Sequence, residues 1–376
     1  MLYLDRPHKE ESGDWALHTR GTPDKLGYSL SYVPIKDADT IVLESFLDSA
    51  PEYLSGARLG EQLGVSRVAV HARLENLRDL GFTIDAVKHK GYRMAGEPPE
   101  MHAPLIRAYL RRRQSDAKFI LFPEIDSTNS EAERQLAAGR QTPFAVIASR
   151  QTHGRGRLGR TWHSPEEGNC YISFAFRPRL PPAKMQVFTL WMGLHICNRV
   201  NASYNLPFMI KWPNDLVLDR RKAGGMLTEA RIDADFTRDL IFGLGLNVNS
   251  ACRNWQTDLA ETAISLAEGA RNPIPVNPLA ADLLAWGCEG YAEFCEDFSE
   301  SRFLNLWAQF DAIRGMPVTV RRDQHLTSGV AEGIEPDGSL RLREANGNTA
   351  LFRSGEVSLG GIEMLREPGE VAHSGS

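Results

Sequence analysis

The hydrophobic pattern of this chain changes twice along its length, and these changes constrain the fold more than any other feature. From Asp37 apolar residues recur at helical spacing in three short segments, and Phe82–Met94 then has the pattern of a β-hairpin. Beyond Pro99, apolar strands alternate with helices. From Asp311 only short strands remain, separated by turn dipeptides such as Asp337-Gly338. The chain therefore predicts three folded units, of which the first has the layout of a winged helix-turn-helix.

The 376 residues are enough for two or three domains, and 42% of them are hydrophobic, so a core needs no disulfide or metal. The five cysteines are an odd number without a C-x-x-C pair, which indicates buried thiols rather than a zinc or disulfide framework. We find no membrane-length apolar run and no signal peptide, and we expect a cytoplasmic protein. We predict an extension of unassigned role at 1–36 and a winged helix-turn-helix at 37–97. A mixed domain at 98–310 and a small β-barrel at 311–366 would follow, and a disordered tail would occupy 367–376.

Charge is distributed unevenly. The whole chain has a net charge of −5, which disfavours a wholly basic nucleic-acid protein, but residues 57–93 hold seven basic and four acidic side chains, a local net of +3. A local excess of this kind suits a DNA-reading module. The alternative is a winged helix kept for folding or for protein contacts. We predict that DNA is met by residues of the third helix and of the wing, namely Ser66, Arg67, Val70, His71, Arg73, His89 and Lys90.

The densest motif is a glycine- and arginine-rich segment at 151–160. Its Gly154-x-Gly156-x-x-Gly159 spacing matches the dinucleotide fingerprint, but no helix pattern follows and position 179 is Arg rather than an acid. The phosphate-binding G-x-x-x-x-G-K-[ST] loop is also missing from the sequence. The segment is therefore a mobile loop whose three arginines can gather around phosphate or carboxylate. A solvated basic loop and a nucleic-acid-binding loop remain alternatives.

Three further segments carry polar residues at strand or helix ends. Lys211–Lys222 contains Asn214-Asp215, which is either a ligand contact or an ordinary Asn-Asp turn, and Lys222 itself could simply be solvated. In Ser127–Glu131, Thr128 and Glu131 have the spacing of a capping box, which would explain that segment without a ligand. The Gly243–Asn249 segment ends a strand with alternating polar groups. Each segment alone is weak evidence for a site.

Together, in this order and spacing, the motifs resemble those of the bifunctional biotin–protein ligases that double as biotin operon repressors. The resemblance covers about 37–365, and its most specific strings are the G-R-G-R-x-G-R segment from Gly154 and K-W-P-N-D from Lys211. It implies an α+β chain with an N-terminal winged helix-turn-helix. It further implies a central domain with a mixed sheet and flanking helices, similar to that of class II aminoacyl-tRNA synthetases. A small β-barrel would follow at the C-terminal end.

The resemblance also implies a two-step reaction. Biotin and Mg-ATP would give biotinyl-5′-adenylate, and a lysine of the biotin carboxyl carrier protein would then take the biotin and release AMP. It makes Arg155, Arg157 and Lys222 the catalytic residues. The residues implied to bind biotin or ATP are Ser127, Thr128, Asn129, Gln151, Gly154, Arg155, Gly156, Arg157, Trp162, Asn214, Asp215, Lys222, Gly225 and Asn247.

The resemblance further implies operator DNA as a partner and a homodimer promoted by the adenylate, which acts as corepressor. The protein alone would hold no metal, and Mg²⁺ would enter with ATP, close to Asp215. The runner-up enzyme is a lipoate–protein ligase, which shares the fold and the adenylate chemistry. A non-enzymatic alternative is a biotin-sensing transcription factor whose ligase has decayed, although the intact Arg155, Arg157, Lys222 and Asn214 argue against decay.

Overall fold

The computed structural model describes residues 15–17, 32–34, 37–164, 168–255 and 257–359. The sequence predicts no regular element within 1–36, whereas two short antiparallel strands are present there, β1 (Trp15–Leu17) and β2 (Tyr32–Pro34). Strands of three residues are too short to leave a periodic signal in a sequence. The predicted tail at 367–376 lies outside the described residues.

The N-terminal domain has the predicted three helices and a hairpin: α1 (Asp37–Ser49), α2 (Gly56–Leu63), α3 (Arg67–Asp79), β3 (Thr83–Val87) and β4 (Gly91–Gly96). The Ser55 side chain caps α2 and the Ser66 side chain caps α3, each accepting a backbone N–H three residues on. Gly64 ends α2 in the left-handed region, at φ 64°. The apolar faces of these helices form a second core, to which Leu105 and Ala108 from the following helix also contribute.

The central domain is built on a seven-stranded mixed sheet in the order β5-β6-β7-β11-β10-β9-β8, in which only β5 and β6 are parallel. Its elements are α4 (Ala103–Arg112), β5 (Phe119–Ile125), α5 (Thr128–Ala137), β6 (Phe144–Gln151), β7 (Cys170–Phe176), α6 (Phe188–Tyr204), β8 (Met209–Lys211), β9 (Asp215–Leu218), β10 (Arg221–Asp233), β11 (Phe236–Leu246), α7 (Thr257–Thr262), α8 (Leu266–Ala270), α9 (Val276–Glu296) and α10 (Glu300–Phe310).

The two faces of this sheet are covered differently. Helices α6 and α9 pack against one face and bury aromatic side chains such as Phe174, Phe188 and Trp191. Helix α5 covers the other face near β6 and β7, over a smaller apolar cluster. Because α5 covers only part of that face, the strand segments beyond its N-terminus stay open to a ligand.

The C-terminal unit is an antiparallel sheet of β12 (Pro317–Arg322), β13 (His325–Ile334), β14 (Leu340–Glu344), β15 (Thr349–Phe352) and β16 (Glu356–Leu359). Its order is β15-β14-β13-β12-β16, and no pairing joins the edge strands β15 and β16 within the described residues. The sheet is therefore open, which corrects the predicted barrel. Its core is continuous with that of the central domain, and Trp212 donates from Nε1 to the Gly338 carbonyl at 3.0 Å.

Among the helices that the structure describes, none combines the length and the apolar character that a membrane crossing requires.

Candidate active site and DNA-binding surface

A cavity of about 300 Å³ lies where the arginine-rich loop, strands β10 and β11 and the C-terminal strand β16 meet. This volume is at the lower end for a small-molecule site. Five cationic and two anionic side chains line it, so its charge is positive. The residues predicted to bind ligand that line it are Ser127, Thr128, Asn129, Gln151, Arg155, Gly156, Arg157, Trp162, Asn214, Asp215, Lys222 and Gly225.

The start of α5 provides a cluster of neutral polar groups. Ser127 is the helix cap, because its hydroxyl accepts the Ser130 N–H at 3.4 Å. Thr128 instead contacts Gln151, whose Oε1 accepts the Thr128 backbone N–H at 2.8 Å and lies 3.1 Å from its hydroxyl. The predicted capping box of Thr128 with Glu131 is therefore wrong. Thr128 lies within the buried first turn of α5 and belongs to the wall of the cavity.

Glycines on β10 and β11 make room for the larger side chains of the site. A Cβ on Gly225 would lie 2.7 Å from the Trp162 indole, and a Cβ on Gly245 would lie 3.0 Å from it. The missing Cβ of Gly243 likewise makes room for the Asn129 side chain. Gly243 and Gly245 are two residues apart on one strand, so the Asn129 and Trp162 positions are separated by roughly 7 Å. The neutral polar cluster and the Trp162 position thus occupy different parts of one cavity.

The cations gather near Trp162. The Lys222 ammonium lies 2.7 Å from Asp215 Oδ1 and 5.1 Å from the Trp162 ring centroid. Arg157 donates to Asn214 Oδ1 at 3.2 Å and to the Gly355 carbonyl at 3.4 Å. Burial lowers the pKa of Arg157, although Asp215 opposes that effect. A bound anion would supply compensating charge to this partly desolvated guanidinium.

Several cavity residues were not predicted from the sequence. Lys211 lines the cavity, and burial lowers its pKa. It belongs to the K-W-P-N-D string, so the motif offered a signal that could have identified it. Arg160 pairs at 2.6 Å with Glu356, which comes from the C-terminal sheet. No local pattern marks Glu356, because only the packing of two domains brings it to this loop.

Two predicted binding residues do not line the cavity. Gly154 is buried, and a Cβ there would lie 2.7 Å from the Trp162 carbonyl, so this glycine permits the loop's close packing. Asn247 is 3% exposed and donates from Nδ2 towards the carbonyls of Lys222 and Ile264 at 3.4 Å and 3.3 Å. The Asn247 amide therefore supports the backbone of Lys222, and the predicted contact of Asn247 with the ligand stays a prediction.

The described residues contain no group of three or more His, Cys, Asp or Glu side chains that could hold a metal ion. Of the two carboxylates that line the cavity, Asp215 pairs with Lys222 and Glu356 pairs with Arg160 and Arg321. Burial alone would raise the pKa of Glu356, but its two arginines hold it below its usual value. A Mg²⁺ ion would therefore need phosphate oxygens to complete its ligands, and its predicted place near Asp215 stays a prediction.

The predicted DNA-binding residues divide into exposed and buried groups. Arg67 and His71 on α3 are exposed, as are His89 and Lys90 in the turn between β3 and β4. Val70 is 1% exposed and belongs to the core, so its predicted place at the groove is wrong.

The remaining two predicted residues of α3 have partners inside the domain. The Ser66 side chain caps the helix, and Arg73 pairs with Asp39 of α1. Val68 is not among the predicted DNA-binding residues, but it is 80% exposed on the same helix as Arg67.

Family models match three parts of the chain. Residues 121–247 match the Biotin/lipoate A/B protein ligase family, residues 42–93 match an HTH domain, and residues 315–360 match the Biotin protein ligase C terminal domain. These matches follow the order of the three units described above. They define the class of protein as a ligase-type catalytic domain between a helix-turn-helix and a ligase C-terminal domain.

The similar proteins extend over most of the chain. The bifunctional ligase/repressor BirA of Escherichia coli is 31% identical over 316 residues, 83% of this chain and 94% of that protein. The BirA of Bacillus subtilis is 29% identical over 85% of this chain and 98% of that protein. A biotin protein ligase from Aquifex aeolicus, solved with biotin and ATP, has a TM-score of 0.53 at 28% identity and covers 64% of this chain and 98% of its own. The chain belongs to the family of bifunctional ligase/repressors.

Proposed function

We propose that this protein is an ATP-dependent biotin–protein ligase that also acts as a biotin-operon repressor. The observation that carries the ligase assignment is one cavity with two chemically different parts. A neutral polar cluster of Ser127, Thr128, Asn129 and Gln151 suits the ureido ring of biotin, and the five cations that line the same cavity suit carboxylate and phosphate. The corresponding ring of lipoate is an apolar dithiolane, which would leave the polar cluster without partners.

In the first step a carboxylate oxygen of biotin attacks the α-phosphorus of ATP, and pyrophosphate leaves. Both reactants are negatively charged, so the cations that line the cavity reduce their repulsion and hold them together. We assign Arg155 and Arg157 to carboxylate and α-phosphate oxygens and Lys222 to the charge that develops on them, and their position in the cavity lining supports this. Bound Mg²⁺ offsets charge on the phosphates of ATP.

In the second step the amine of a carrier-domain lysine attacks the biotinyl carbonyl, and AMP leaves. The adenylate must be kept from water between the two steps, and the arginine-rich loop is suited to this role. Arg157 attaches it to Asn214 of the central domain, and Arg160 attaches it to Glu356 of the C-terminal sheet. A loop held by these two contacts would restrict the entry of water to the adenylate.

The repressor function is supported by the N-terminal domain. Arg67 and His71 on α3 and His89 and Lys90 in the wing are exposed and available to meet DNA. We further propose that biotinyl-5′-adenylate promotes homodimerisation and thereby operator binding, since two half-sites bind a dimer more tightly than a monomer. We also propose a cytoplasmic location, since the cysteine spacing in the sequence is not that of a disulfide framework.

A mass measurement tests the ligase assignment. The full chain is incubated with ATP, Mg²⁺, a biotin carboxyl carrier domain and either biotin or lipoate, and a carrier whose acceptor lysine is changed to arginine serves as the control. Mass gain with biotin alone supports the proposal. Gain with lipoate alone would establish the runner-up enzyme, and gain with neither would leave only a DNA-binding regulator.

A gel shift combined with sedimentation tests the repressor part. Operator-like DNA is titrated with the protein alone and with biotin, ATP and Mg²⁺ present. We expect the sedimentation coefficient and the DNA affinity to rise together when the adenylate forms. Equal DNA affinity with and without the adenylate would refute the corepressor role.

A further inference from the structure

Glu229 lies on β10 outside the cavity lining, yet it contacts two residues of the cavity wall. Its Oε2 accepts the Asn129 Nδ2–H at 2.7 Å, and its Oε1 accepts from the Arg155 guanidinium. Its side chain is 31% exposed. No prediction from the sequence singled out this residue, because β10 carries it within an otherwise ordinary strand segment.

The Asn129 amide could in principle adopt either of two orientations, with its oxygen and nitrogen exchanged. A carboxylate only accepts hydrogen bonds, so Glu229 requires the Asn129 nitrogen on its side. On the other side, Ser173 Oγ lies 2.5 Å from Asn129 Oδ1 and can donate to it. Asn129 is 4% exposed and lies directly over Gly243, so the side chain has no room to relax. Glu229 thereby fixes which polar atoms of Asn129 remain for a ligand.

We propose that Glu229 is a positioning residue for ligand recognition, which acts by holding the Asn129 amide in one orientation. The inference rests on the proposed function, since the ligand that would sense this orientation is the ureido ring, with donors and an acceptor in fixed places. A wrongly oriented amide would oppose donor to donor or acceptor to acceptor. The effect should therefore fall on biotin and not on ATP.

Two substitutions separate orientation from charge. Glu229→Leu removes both acceptors, so we expect the biotin Kd, measured by calorimetry, and the KM for biotin to rise about tenfold. Glu229→Gln removes the charge but keeps a carbonyl that can accept from Asn129, and we expect both constants within about threefold of the parent values. The KM for ATP should stay within about twofold in both variants.

Glu133→Leu is the matched control. Glu133 lies 3.9 Å from the same Arg155 and also pairs with Arg231, but it makes no described contact with Asn129. We expect its biotin Kd to equal that of the parent protein. Thermal unfolding without ligand shows whether each variant is folded, and Glu229→Gln carries the test if Glu229→Leu does not fold.

The possible outcomes distinguish the inference from the proposed function. If the parent protein binds no biotin, the proposed function fails. If the parent binds biotin and Glu229→Leu binds it equally well, Glu229 has no positioning role while the proposed function stands. A loss in Glu229→Gln as large as that in Glu229→Leu would overturn orientation as the cause and assign the effect to the charge beside Arg155.

Discussion

Lys222 has an acid on one side and an aromatic ring on the other. Asp215 is 2.7 Å from its ammonium, and the Trp162 ring centroid is 5.1 Å away. The contact with the Trp162 ring uses no directed hydrogen bond of the Lys222 ammonium. The ammonium has three N–H donors, and the ion pair with Asp215 leaves some of them for a ligand. Lys222 is therefore fixed in place and still able to donate to oxygens that gain charge during adenylate formation.

Changing Lys222→Met should remove this stabilisation while keeping the length of the side chain. We expect pyrophosphate release with biotin and Mg-ATP to fall roughly 100-fold or more, because the lost donor acts on charge that develops in the transition state. Biotin affinity measured without ATP should change by about twofold at most.

Arg221→Met provides the control for Lys222→Met. Arg221 precedes Lys222 on β10, points to the opposite side of the strand and does not line the cavity. We expect near-parental activity from it. Equal losses in the two variants would mean that general charge, and not the placement of Lys222, supports the reaction.

At the scale of elements, packing gives residues of the same type on α3 different degrees of exposure. Val68 and Val70 are both β-branched and only two positions apart, but Val68 is 80% exposed and Val70 is 1% exposed. Arg67 and Arg73 differ in the same way, since Arg67 is exposed and Arg73 pairs with Asp39 of α1. The face of α3 that is free to meet DNA is thus narrower than the sequence predicted.

Arg67→Ala should weaken binding to operator DNA, and the slope of log K against log salt should become shallower by about 1, because one phosphate contact is lost. Arg73→Ala is the comparison on the same helix. Its charge is already neutralised by Asp39, so we expect lower thermal stability of the N-terminal domain and an unchanged salt slope. The reverse pattern of slopes would contradict this assignment of the surface.

At the scale of the whole molecule, the C-terminal sheet completes the cavity. Glu356 forms two ion pairs, one with Arg160 of the arginine-rich loop at 2.6 Å and one with Arg321 of β12 at 2.7 Å. The Gly355 carbonyl accepts from Arg157, a contact between residues 198 positions apart. The C-terminal sheet therefore contributes directly to holding the arginine-rich loop.

Glu356→Gln should loosen this connection. We expect the KM for ATP to rise about fivefold, in line with the modest energy of a partly exposed ion-pair network. Glu332→Gln tests the specificity of the effect, because Glu332 pairs with Arg341 and Arg343 of the same sheet but does not line the cavity. An equal effect of both substitutions would indicate general weakening of the sheet rather than release of the loop.

The sequence by itself determined the three-unit organisation through local signals, and its resemblance to the ligase/repressor family identified twelve of the 26 residues that line the cavity. Helical and alternating periodicities mark the elements, and the arginine-rich and K-W-P-N-D strings place contiguous residues on one wall. The tertiary structure decided which of the polar and apolar residues are buried, which line the cavity and which contact residues far away in the chain. It buried Val70, turned Asn247 beneath Lys222, and brought Glu229 and Glu356 to residues far away in the chain. Contacts of that kind follow from strand register and domain packing, which no local pattern encodes.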